Sequence, residues 1–445
     1  MAGEYKYWNP VLEKLPEDRL RDLQLRKFKR IFRWAYDNSP FYRNLYRSTG
    51  IEPGDIKTLD DIKKVPKTEK SMLREAQGKD PYPYGEILSV PLSQVTEYRQ
   101  TSGTTGQPVY HPETWQDWEW SAESWAYCLY AQGYTAEDRA FLPFIYSLFI
   151  AFWAAHYALE KIGCEVIPGG GMNTEARILR IQELRPTALL ATPTYVLGMA
   201  DTARNKMGID PAKDLNVRKI TVAGEPGGCI PATRKRMEEA WGAKVYDQAG
   251  ATEIGHWGYE CQEQSGLHII EAFHLVEIED IDTGEIITTP GRKGKMVITT
   301  FDRYAHPCIR FDSKDIIEWN PRQCDCGRTF RLLEGGVQGR ADDIIKVKGV
   351  LLSPTAIEDV VRDIAELSDE YEVTVTKKGD IDAIALKVEI LPGQESNLET
   401  ISRRLVNELR NKTNLGYDIE FCNFGSLPRF EGKARRFKDL RNKEH

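Results

Sequence analysis

Between residues 140 and 250 short apolar runs alternate with longer amphipathic segments, and this alternation limits the possible folds more than any other feature. The runs FLPFI, CEVIP, ALLATP, KITVAGE and AKVYDQ have the length and composition of strands. The segments MNTEARILRIQEL, TYVLGMADTARNK and PATRKRMEEAWG have the spacing of helices. Because strands that alternate with helices form crossover units, we predict an α/β domain with a mainly parallel sheet.

Other patterns flank this segment. Residues 1–80 are rich in charged amphipathic runs and are predicted to be mostly helical. Residues 268–333 contain short strand patterns separated by the turn signals DTGE and TPGRKGK, which indicate a β-rich subdomain. After the run GGVQGRADD the pattern fits a small α+β domain of about a hundred residues. We therefore predict an N-terminal domain over residues 1–341 and a C-terminal domain over residues 342–445.

Length, charge and cysteine content restrict the class of protein. A chain of 445 residues is too long for one hydrophobic core, which agrees with more than one domain. Its net charge of −7 disfavours nonspecific nucleic-acid binding, which needs a basic surface. The N-terminal run lacks the apolar core of a signal peptide, and the cysteines are too scattered for a disulfide framework. We expect a cytoplasmic protein.

One charge-free segment allows two interpretations. Residues 140–159 contain no Asp, Glu, Lys or Arg and are long enough to span a bilayer. The segment also contains Pro143, Ser147 and His156, and it leads into the strand pattern CEVIP. A strand followed by a fully buried helix explains the same residues inside an α/β core, and we adopt this interpretation.

The run TSGTTGQP at residues 101–108 has the composition of an anion-binding loop. Its glycines let the backbone approach an anion, and its N–H and hydroxyl groups are donors. An isolated run of this kind would favour a Ser/Thr/Gly surface turn. It is followed, however, by AGEPGG at 223–228, YDQAGATEIG at 246–255, IRFDSKDI at 309–316, GRADDIIK at 339–346 and PRFEGKARR at 428–436.

Together, in this order and at these spacings, the motifs resemble the adenylate-forming superfamily and most closely its phenylacetate–CoA ligase branch. The resemblance covers about residues 95–440. It implies an α/β fold with a large N-terminal adenylate-forming domain, a β-rich subdomain and a small mobile α+β C-terminal domain. It also implies ATP-dependent, AMP-forming activation of an aromatic carboxylic acid to its CoA thioester, through an acyl-adenylate.

The resemblance assigns nucleotide binding to several motifs. The loop at 101–108 is the expected phosphate cradle, in which Gln107 stands where many relatives have lysine. The adenine ring is expected beside Glu225 and residues 246–248, and the alternative for Glu225 is a structural glutamate at the end of a strand. Arg340 is expected to contact ribose or phosphate. The residues expected to bind the nucleotide are Thr101, Ser102, Gly103, Thr104, Thr105, Gly106, Gly224, Glu225, Pro226, Tyr246, Asp247, Gln248, Thr252, Asp315 and Arg340.

Two carboxylates have more specific expected roles. Glu253 matches the family's Mg²⁺-binding glutamate, since Mg²⁺ prefers one or two carboxylates together with phosphate oxygens. The alternative is a glutamate that caps a helix after Thr252. Asp315 matches the aspartate that accepts hydrogen bonds from both ribose hydroxyls. The alternative for Asp315 is a turn-forming residue.

The C-terminal motif contains the expected catalytic lysine. In the family this lysine, here Lys433, bridges the carboxylate and the α-phosphate during adenylation, and Glu253 is the other expected catalytic residue. Without the resemblance, the run around Lys433 would be interpreted as a solvated basic tail. Asp342 occupies the position of the hinge about which the small domain rotates between the two half-reactions.

Three cysteines and one histidine form a second candidate site. Cys261 and His268 are separated by six residues, and Cys324 and Cys326 flank Asp325. Three thiolates and one imidazole are the ligand set of a structural zinc site, which leaves no open coordination position. The alternative is a set of unrelated buried cysteines. Some members of the resembled branch carry a metal at what looks like the same place.

The aromatic run after the phosphate loop matches the region where the branch binds its acid. A pocket of this composition suits a flat aromatic acid better than a long acyl chain. The alternative is ordinary helix packing. The expected wall residues are Tyr146, Phe149, Phe152 and Trp153 on one side, and Gly250, Ala251, Ile254 and His256 on the other.

Three functions are considered. The first is an aryl- or arylacetate–CoA ligase, and the second is an adenylyltransferase that leaves AMP on an aromatic acceptor without CoA. The third is a nucleotide-binding regulator without chemistry, which the presence of Glu253, Asp315 and Lys433 disfavours. The expected ligands are the aromatic acid, ATP, Mg²⁺, CoA and structural Zn²⁺. We expect no binding to nucleic acid or to a membrane, and a homodimer is possible.

Overall fold

The structure is a computed structural model that describes residues 7–101, 107–348, 350–378, 381–430, 434 and 436–441. The chain divides into two compact units, and each unit is made of two stretches of sequence. The units are Met1–Gly171 with Tyr246–Val337, and Met172–Val245 with Gln338–His445. The boundary expected from the sequence, after Ala341, is a single division and stays a prediction.

The N-terminal stretch of the first unit is mainly helical, as its amphipathic runs predict. The helix Glu17–Asn38 buries Leu20, Phe28, Ile31 and Phe32 at the spacing of successive helical turns. The α-helices are Pro10–Glu13, Glu17–Asn38, Pro40–Thr49 and Lys70–Gln77, and 3₁₀ helices cover Pro53–Asp55, Leu59–Lys64, Gly85–Ile87 and Leu92–Gln94.

The next part of the first unit contains helices and parallel strands. The helix Trp115–Ala131 packs against the helix Ala151–Ile162. The strands Arg139–Leu142 and Glu165–Pro168 pair in parallel, in agreement with the predicted crossover units. A separate antiparallel pair is formed by the strands Glu97–Gln100 and Tyr110–Glu113.

The charge-free segment at 140–159 consists of the end of a strand, a loop and most of the helix Ala151–Ile162. The expectation that this helix is fully buried is wrong. Its small residues, such as Ala155, are buried, whereas Tyr157 and Glu160 are exposed, because the helix packs on one side only. Among the residues that the structure describes, no helix is long and apolar enough to cross a membrane.

The remainder of the first unit is mainly antiparallel, which confirms the predicted β-rich subdomain. One set of strands pairs in the order Lys244–Ala251, Gly255–Tyr259, Leu267–Ile269 and Leu332–Leu333. A three-stranded sheet has the order His274–Glu279, Lys293–Thr300 and Cys308–Glu318. Gly255 has a φ of +72°, and a Cβ atom there would lie 2.7 Å from the Trp120 ring, so the turn before it requires glycine.

The stretch Met172–Val245 of the second unit shows the predicted alternation of strands and helices. The strands Ala188–Ala191 and Lys219–Val222 pair in parallel. Thr192 caps one helix and Pro193 is its first residue, which is the expected chemistry of a helix start. The helices of this stretch are Thr174–Leu184, Pro193–Met207, Pro211–Asp214 and Pro231–Trp241.

The C-terminal stretch of the second unit is a small α+β domain, as predicted. Its two α-helices and its sheet share one apolar core that includes Ile357, Val361, Val373, Leu386 and Leu405. The sheet has the strand order Asp418–Cys422, Ile381–Ile390, Leu367–Lys378 and Phe437–Asp439. The other elements are the hairpin of Ile345–Val347 and Val350–Leu352, the helices Pro354–Asp363 and Leu398–Thr413, and the 3₁₀ helix Glu395–Asn397.

Candidate active site

The strand Lys244–Ala251 carries the first group of predicted site residues. Tyr246, Asp247 and Gln248 are all buried on it. The backbone N–H of Asp247 donates to Glu260 Oε2 at 2.8 Å. Gln248 Oε1 accepts a hydrogen bond from His256 Nδ1 at 2.7 Å, since an amide oxygen can only accept. The three residues that are expected to contact the nucleotide therefore lie on one strand, which hydrogen bonds to Glu260 and His256 hold in place.

Glu253 lies in the turn after this strand and is buried. Its Oε1 atom lies 2.8 Å from Lys70 Nζ. Its main-chain carbonyl accepts a hydrogen bond from Arg303 Nη1 at 2.9 Å, and Arg303 forms a fully buried ion pair with Glu113. A strand, not a helix, follows the turn, which excludes the helix-capping interpretation. The ion pair of Arg303 with Glu113 therefore fixes the main chain at Glu253, and with it the position of the Glu253 carboxylate.

The donor chemistry at Glu253 fits Mg²⁺. The ion prefers one or two carboxylates and takes its other ligands from phosphate oxygens and water. Glu253 offers one buried carboxylate of this kind. The ammonium group of Lys70 beside it adds a cation that phosphate oxygens can also bind.

Asp315 lies in a β-bulge of the strand Cys308–Glu318. The pairing with the neighbouring strand passes from Val297–Asp312 directly to Lys295–Ile316, so residues 313–315 leave the regular ladder. Lys314 has a left-handed φ of +65°, and the N–H of Asp315 donates to Ser313 Oγ at 3.1 Å. The bulge gives the half-buried carboxylate of Asp315 an orientation that a regular strand would not provide.

The second unit holds another group of predicted residues. Gly224 follows the strand Lys219–Val222 with a left-handed φ of +89°, and Pro226 is exposed. Glu225 Oε1 accepts the backbone N–H of Thr194 at 2.7 Å, and Glu225 Oε2 accepts that of Ala434 at 3.0 Å. Both carboxylate oxygens of Glu225 therefore bind main-chain N–H groups.

Arg340 and Asp342, the expected ribose partner and hinge residue, interact with each other. Two guanidinium nitrogens of Arg340 donate to the two carboxylate oxygens of Asp342, each at 2.9 Å. The N–H groups of Asp343 and Ile344 donate to the carbonyl of Arg340 at 3.1 Å. The predicted hinge is therefore a turn with a bidentate ion pair across it.

Part of the predicted site lies outside the described residues, namely Ser102, Gly103, Thr104, Thr105, Gly106 and Lys433. The ends of the phosphate loop are described. Thr101 is buried and exchanges two hydrogen bonds of 3.0 Å with the backbone of Val109. The carbonyl of Gln107 accepts from Arg74 Nε at 2.8 Å.

Aromatic side chains of residues 144–153 form a cluster, which we call the aromatic wall: Phe144, Tyr146, Phe152 and Trp153. Phe144 and Phe152 are stacked with centroids 3.5 Å apart, and Tyr146 and Trp153 meet edge-to-face at 4.7 Å. The Tyr146 hydroxyl lies 2.9 Å from His156 Nδ1. The predicted residues Tyr146, Phe152 and Trp153 are thus brought together, whereas Phe149 is 49% exposed.

The residues predicted for the opposite side differ in burial. Gly250 is exposed, Ala251 is half-buried and Ile254 is fully buried. His256 is buried and stacks on Trp125 with centroids 4.7 Å apart. Burial, together with His274, lowers the pKa of His256 well below its usual value, so the ring is neutral at pH 7.

The four predicted metal ligands converge in the first unit. The ligand atoms of Cys261, His268, Cys324 and Cys326 lie within 4.8 Å of one another, and all four residues are buried. Cys261 Sγ lies 3.5 Å from Cys324 Sγ, and Cys326 Sγ lies 3.4 Å from His268 Nε2. Ligands bonded tetrahedrally to zinc at about 2.3 Å would be about 3.8 Å apart, so the donor set and its spacing fit Zn²⁺.

The surroundings of the cluster are suited to a metal. His268 Nδ1 lies 3.1 Å from the carbonyl of Phe330, an arrangement that directs Nε2 towards the thiols. Hydrogen bonds from Cys261 and Cys324 lower the pKa of Cys326, which favours a thiolate. Burial lowers the pKa of His268, but its hydrogen bonds to Cys324 and Cys326 outweigh burial and raise that pKa to about 9. A metal ion that binds here would displace these protons to solvent, because thiolate sulfur and neutral imidazole are the forms that bind a metal.

Several residues of the site carry no signal in the sequence. Lys70 belongs to no motif, and its contact with Glu253 depends on the packing of the helix Lys70–Gln77. Glu113 and Arg303 are 190 residues apart, and their pairing is visible only in the folded chain. A buried arginine requires a buried acid, but the sequence does not say which one.

Comparisons with known proteins agree with this geometry. Residues 98–300 match the family of AMP-binding enzymes, and residues 349–441 match the C-terminal domain of AMP-binding enzymes. The chain is 33% identical to a phenylacetate–coenzyme A ligase of Thermus thermophilus, over 98% of this chain and 99% of the relative. It is 34% identical to a phenylacetate–coenzyme A ligase of Aromatoleum evansii, over 97% of each.

A solved structure is similar over nearly the whole chain. It is a 2-hydroxyisobutyryl–CoA ligase in the postadenylation state in complex with R3-HIB-AMP, with a TM-score of 0.92 and 25% identity over 99% of this chain and 93% of that one. The chain therefore belongs to the AMP-binding enzymes of the adenylate-forming superfamily, in the phenylacetate–CoA ligase-like branch. It is an AMP-forming acid–CoA ligase that uses ATP and CoA.

Proposed function

We propose that the enzyme converts an aromatic carboxylic acid of the phenylacetate type into its CoA thioester, through an acyl-adenylate. The observation that carries the proposal is the aromatic wall, in which Phe144 stacks on Phe152 and Tyr146 meets Trp153. Flat ring faces and edges are the surfaces that a further aromatic ring packs against best. The substrate named for the curated relatives supports the same class of acid.

The proposed first half-reaction joins two anions, so the site has to neutralise charge and hold the reactants in line. We assign Mg²⁺ binding to Glu253, where the ion would neutralise phosphate charge. Lys70, beside Glu253, would bind phosphate oxygens and compensate for Gln107 in the phosphate loop. Lys433 would bridge the carboxylate and the α-phosphate, and Asp315 would hold the ribose hydroxyls.

Two alternatives have to be separated from this proposal. A small aliphatic hydroxy acid is the competing substrate class, because the 2-hydroxyisobutyryl–CoA ligase has a similar structure. The other alternative is transfer of AMP to an aromatic acceptor without CoA. The aromatic wall favours the aromatic acid over the aliphatic one, since a further aromatic ring packs against ring faces and edges better than a small aliphatic group does.

Acid-dependent exchange between ATP and pyrophosphate tests the substrate class. The panel contains phenylacetate, benzoate, 2-hydroxyisobutyrate and octanoate. We expect the fastest exchange with an arylacetate or benzoate, and AMP release that requires CoA. Faster exchange with 2-hydroxyisobutyrate would contradict the aromatic assignment, and AMP transfer without CoA would support the adenylyltransferase.

A pair of variants links the result to the aromatic wall. Phe152→Leu removes the stack with Phe144, and we expect the KM for the aromatic acid to rise about tenfold with little change in the KM for ATP. The matched control is Ile145→Ala in the same segment, where the side chain is 70% exposed. A rise in both KM values in Phe152→Leu would indicate general damage to the site and not a lost wall.

We also propose that Cys261, His268, Cys324 and Cys326 bind one structural Zn²⁺. Four protein ligands leave no position for a substrate, so the ion would stabilise the fold without taking part in adenylation. The support is the convergence of the four buried ligand atoms from two parts of the sequence.

A further inference from the structure

Residues 7–13, which we call the N-terminal segment, pack against the loop 324–329, which carries two of the four candidate metal ligands and which we call the ligand loop. The Tyr7 hydroxyl donates to the main-chain carbonyl of Cys326 at 2.8 Å, although the two residues are 319 positions apart in the chain. Gly327 has a left-handed φ of +78°, and a Cβ atom there would lie 2.8 Å from the Tyr7 hydroxyl oxygen. The turn after Cys326 therefore needs glycine in order to accommodate Tyr7.

A buried ion pair makes a second attachment between the N-terminal segment and the ligand loop. Glu13 pairs with Arg328, and both side chains are almost completely buried. Arg328 also lies over the Tyr7 ring, 5.0 Å from its centroid, and interacts with the Cys326 side chain. The main-chain N–H of Thr329 donates to the carbonyl of Glu13 at 2.9 Å. The N-terminal segment is thus bound to the ligand loop by an ion pair, a ring contact and hydrogen bonds.

The order of the N-terminal segment depends on this attachment. Asn9 caps the helix Pro10–Glu13, because its side chain accepts the N–H of Leu12 at 3.1 Å. The N–H of Asn9 donates to Glu13 Oε1 at 2.8 Å, so the same carboxylate serves the helix start and the ion pair with Arg328. A helix of four residues is too short to be stable without tertiary contacts. We therefore expect the helix to form only while the segment is docked on the ligand loop.

We propose that metal binding and docking of the N-terminal segment are coupled, so that each strengthens the other. This inference rests on the proposed zinc site and adds Tyr7 and Glu13 as positioning residues for it. The ligand loop carries Cys324 and Cys326, whose sulfur atoms belong to the cluster, and the N-terminal segment fixes the course of that loop. Groups that orient metal ligands from outside change the affinity for the metal by about 10- to 100-fold. By linkage, the metal stabilises the docked segment by the same factor.

The first test is the Kd for Zn²⁺ of the full chain, measured by competition with a chromophoric chelator. Tyr7→Phe removes only the hydroxyl that binds the Cys326 carbonyl, and we expect the Kd to rise about tenfold. Glu13→Gln removes the negative charge of the buried ion pair and should raise the Kd further. The matched control is Tyr42→Phe, which removes a hydrogen bond of the same kind to the carbonyl of Pro307 in the same unit and should leave the Kd unchanged.

Hydrogen exchange at individual amides tests the reciprocal effect in the wild type. The N–H groups of Asn9 and Glu13 are bonded within the N-terminal segment, and the N–H of Thr329 reports docking directly. Removal of Zn²⁺ with a chelator should speed exchange at these three amides by about tenfold or more, because the segment then opens more often. The control amide is that of Thr68, which donates to the carbonyl of Arg310 at 3.0 Å in the same unit and should exchange at an unchanged rate.

Three results would overturn the inference. An unchanged Kd for Zn²⁺ in Tyr7→Phe would show that the N-terminal segment does not position the ligands, and this variant lacks only one oxygen atom, so it decides the question even where Glu13→Gln fails to fold. Equal exchange at Asn9 and Glu13 with and without metal would exclude the reciprocal effect. A fall in Tm of Tyr7→Phe that is as large in metal-free as in metal-loaded protein would indicate a merely structural hydroxyl. A wild type that binds no Zn²⁺ would instead contradict the zinc site itself, and the coupling with it.

Discussion

Removal of the metal ligands in the first unit should lower stability without changing the chemistry. The perturbation is the double variant Cys324→Ser with Cys326→Ser, which removes half of the ligand set. Cys261 and Cys324 are 63 residues apart, so a metal between them closes a long loop. Treated as a cross-link of that length, a bound metal would contribute about 4 kcal/mol to the free energy of unfolding by restricting the unfolded chain. For a unit of this size that corresponds to a fall in Tm of about 8 °C.

Elemental analysis and thermal unfolding check this prediction together. Protein prepared without chelator should contain about one zinc per chain, and the double variant should contain none. The matched control is Cys128→Ser, a buried cysteine of the same unit outside the cluster, which should retain the metal. Wild-type protein without metal would refute the reasoning, as would a double variant whose Tm is unchanged. Loss of adenylation in double-variant protein that remains folded would show that the ion is catalytic.

Three further predictions concern the nucleotide site and the core. Lys433→Ala should leave ATP binding nearly intact and slow adenylation by about a hundredfold, which is a loss of about 3 kcal/mol in transition-state stabilisation. Thioester formation from preformed acyl-adenylate should be much less affected, and an equal loss in both steps would contradict the role of Lys433. Asp315→Asn should raise the KM for ATP about tenfold, with 2′-deoxy-ATP less affected than ATP, and an equal effect on both nucleotides would argue against a ribose contact. Burial and the nearby Arg303 lower the pKa of His306 to about 3, so the unfolded chain binds this proton more readily between about pH 6.5 and pH 3. The free energy of unfolding should therefore fall by up to about 1.4 kcal/mol per pH unit as the pH decreases through that window, and the slope should be smaller in His306→Gln, whereas an unchanged slope would refute the assignment.

The order of strands and helices could be predicted because each element carries its own periodicity. The runs ALLATP and KITVAGE become the parallel strands Ala188–Ala191 and Lys219–Val222, and the helix after each begins with proline at its first position. The convergence of Cys261, His268, Cys324 and Cys326 could also be predicted, because three cysteines and a histidine in two close pairs at the edges of one subdomain are an uncommon combination. Both signals are local in the chain.

The remaining features depend on contacts between distant residues. The bulge that orients Asp315 arises from the register with a neighbouring strand, which no local pattern encodes. The pairing of Lys70 with Glu253 and of Glu225 with Ala434 joins segments that are 183 and 209 residues apart. For Glu225 the motif predicts a contact with adenine, whereas in the structure its carboxylate accepts hydrogen bonds from the protein's own main chain. Such contacts become visible only once the packing is known.

Arg236 donates hydrogen bonds to main-chain carbonyls of the C-terminal domain at residues 362, 364 and 367. These contacts have a consequence for chimeras in which the C-terminal domain comes from a related enzyme. Three of the partners of Arg236 are main-chain carbonyls, which every amino acid presents alike. Substitutions at residues 362, 364 and 367 would therefore leave these acceptors in place as long as the backbone keeps its course. A C-terminal domain grafted from another family member would meet the same guanidinium group with the same geometry. Chimeric ligases could thus inherit this attachment without matched mutations on both sides, and the acid-binding half could diverge while the small domain is reused.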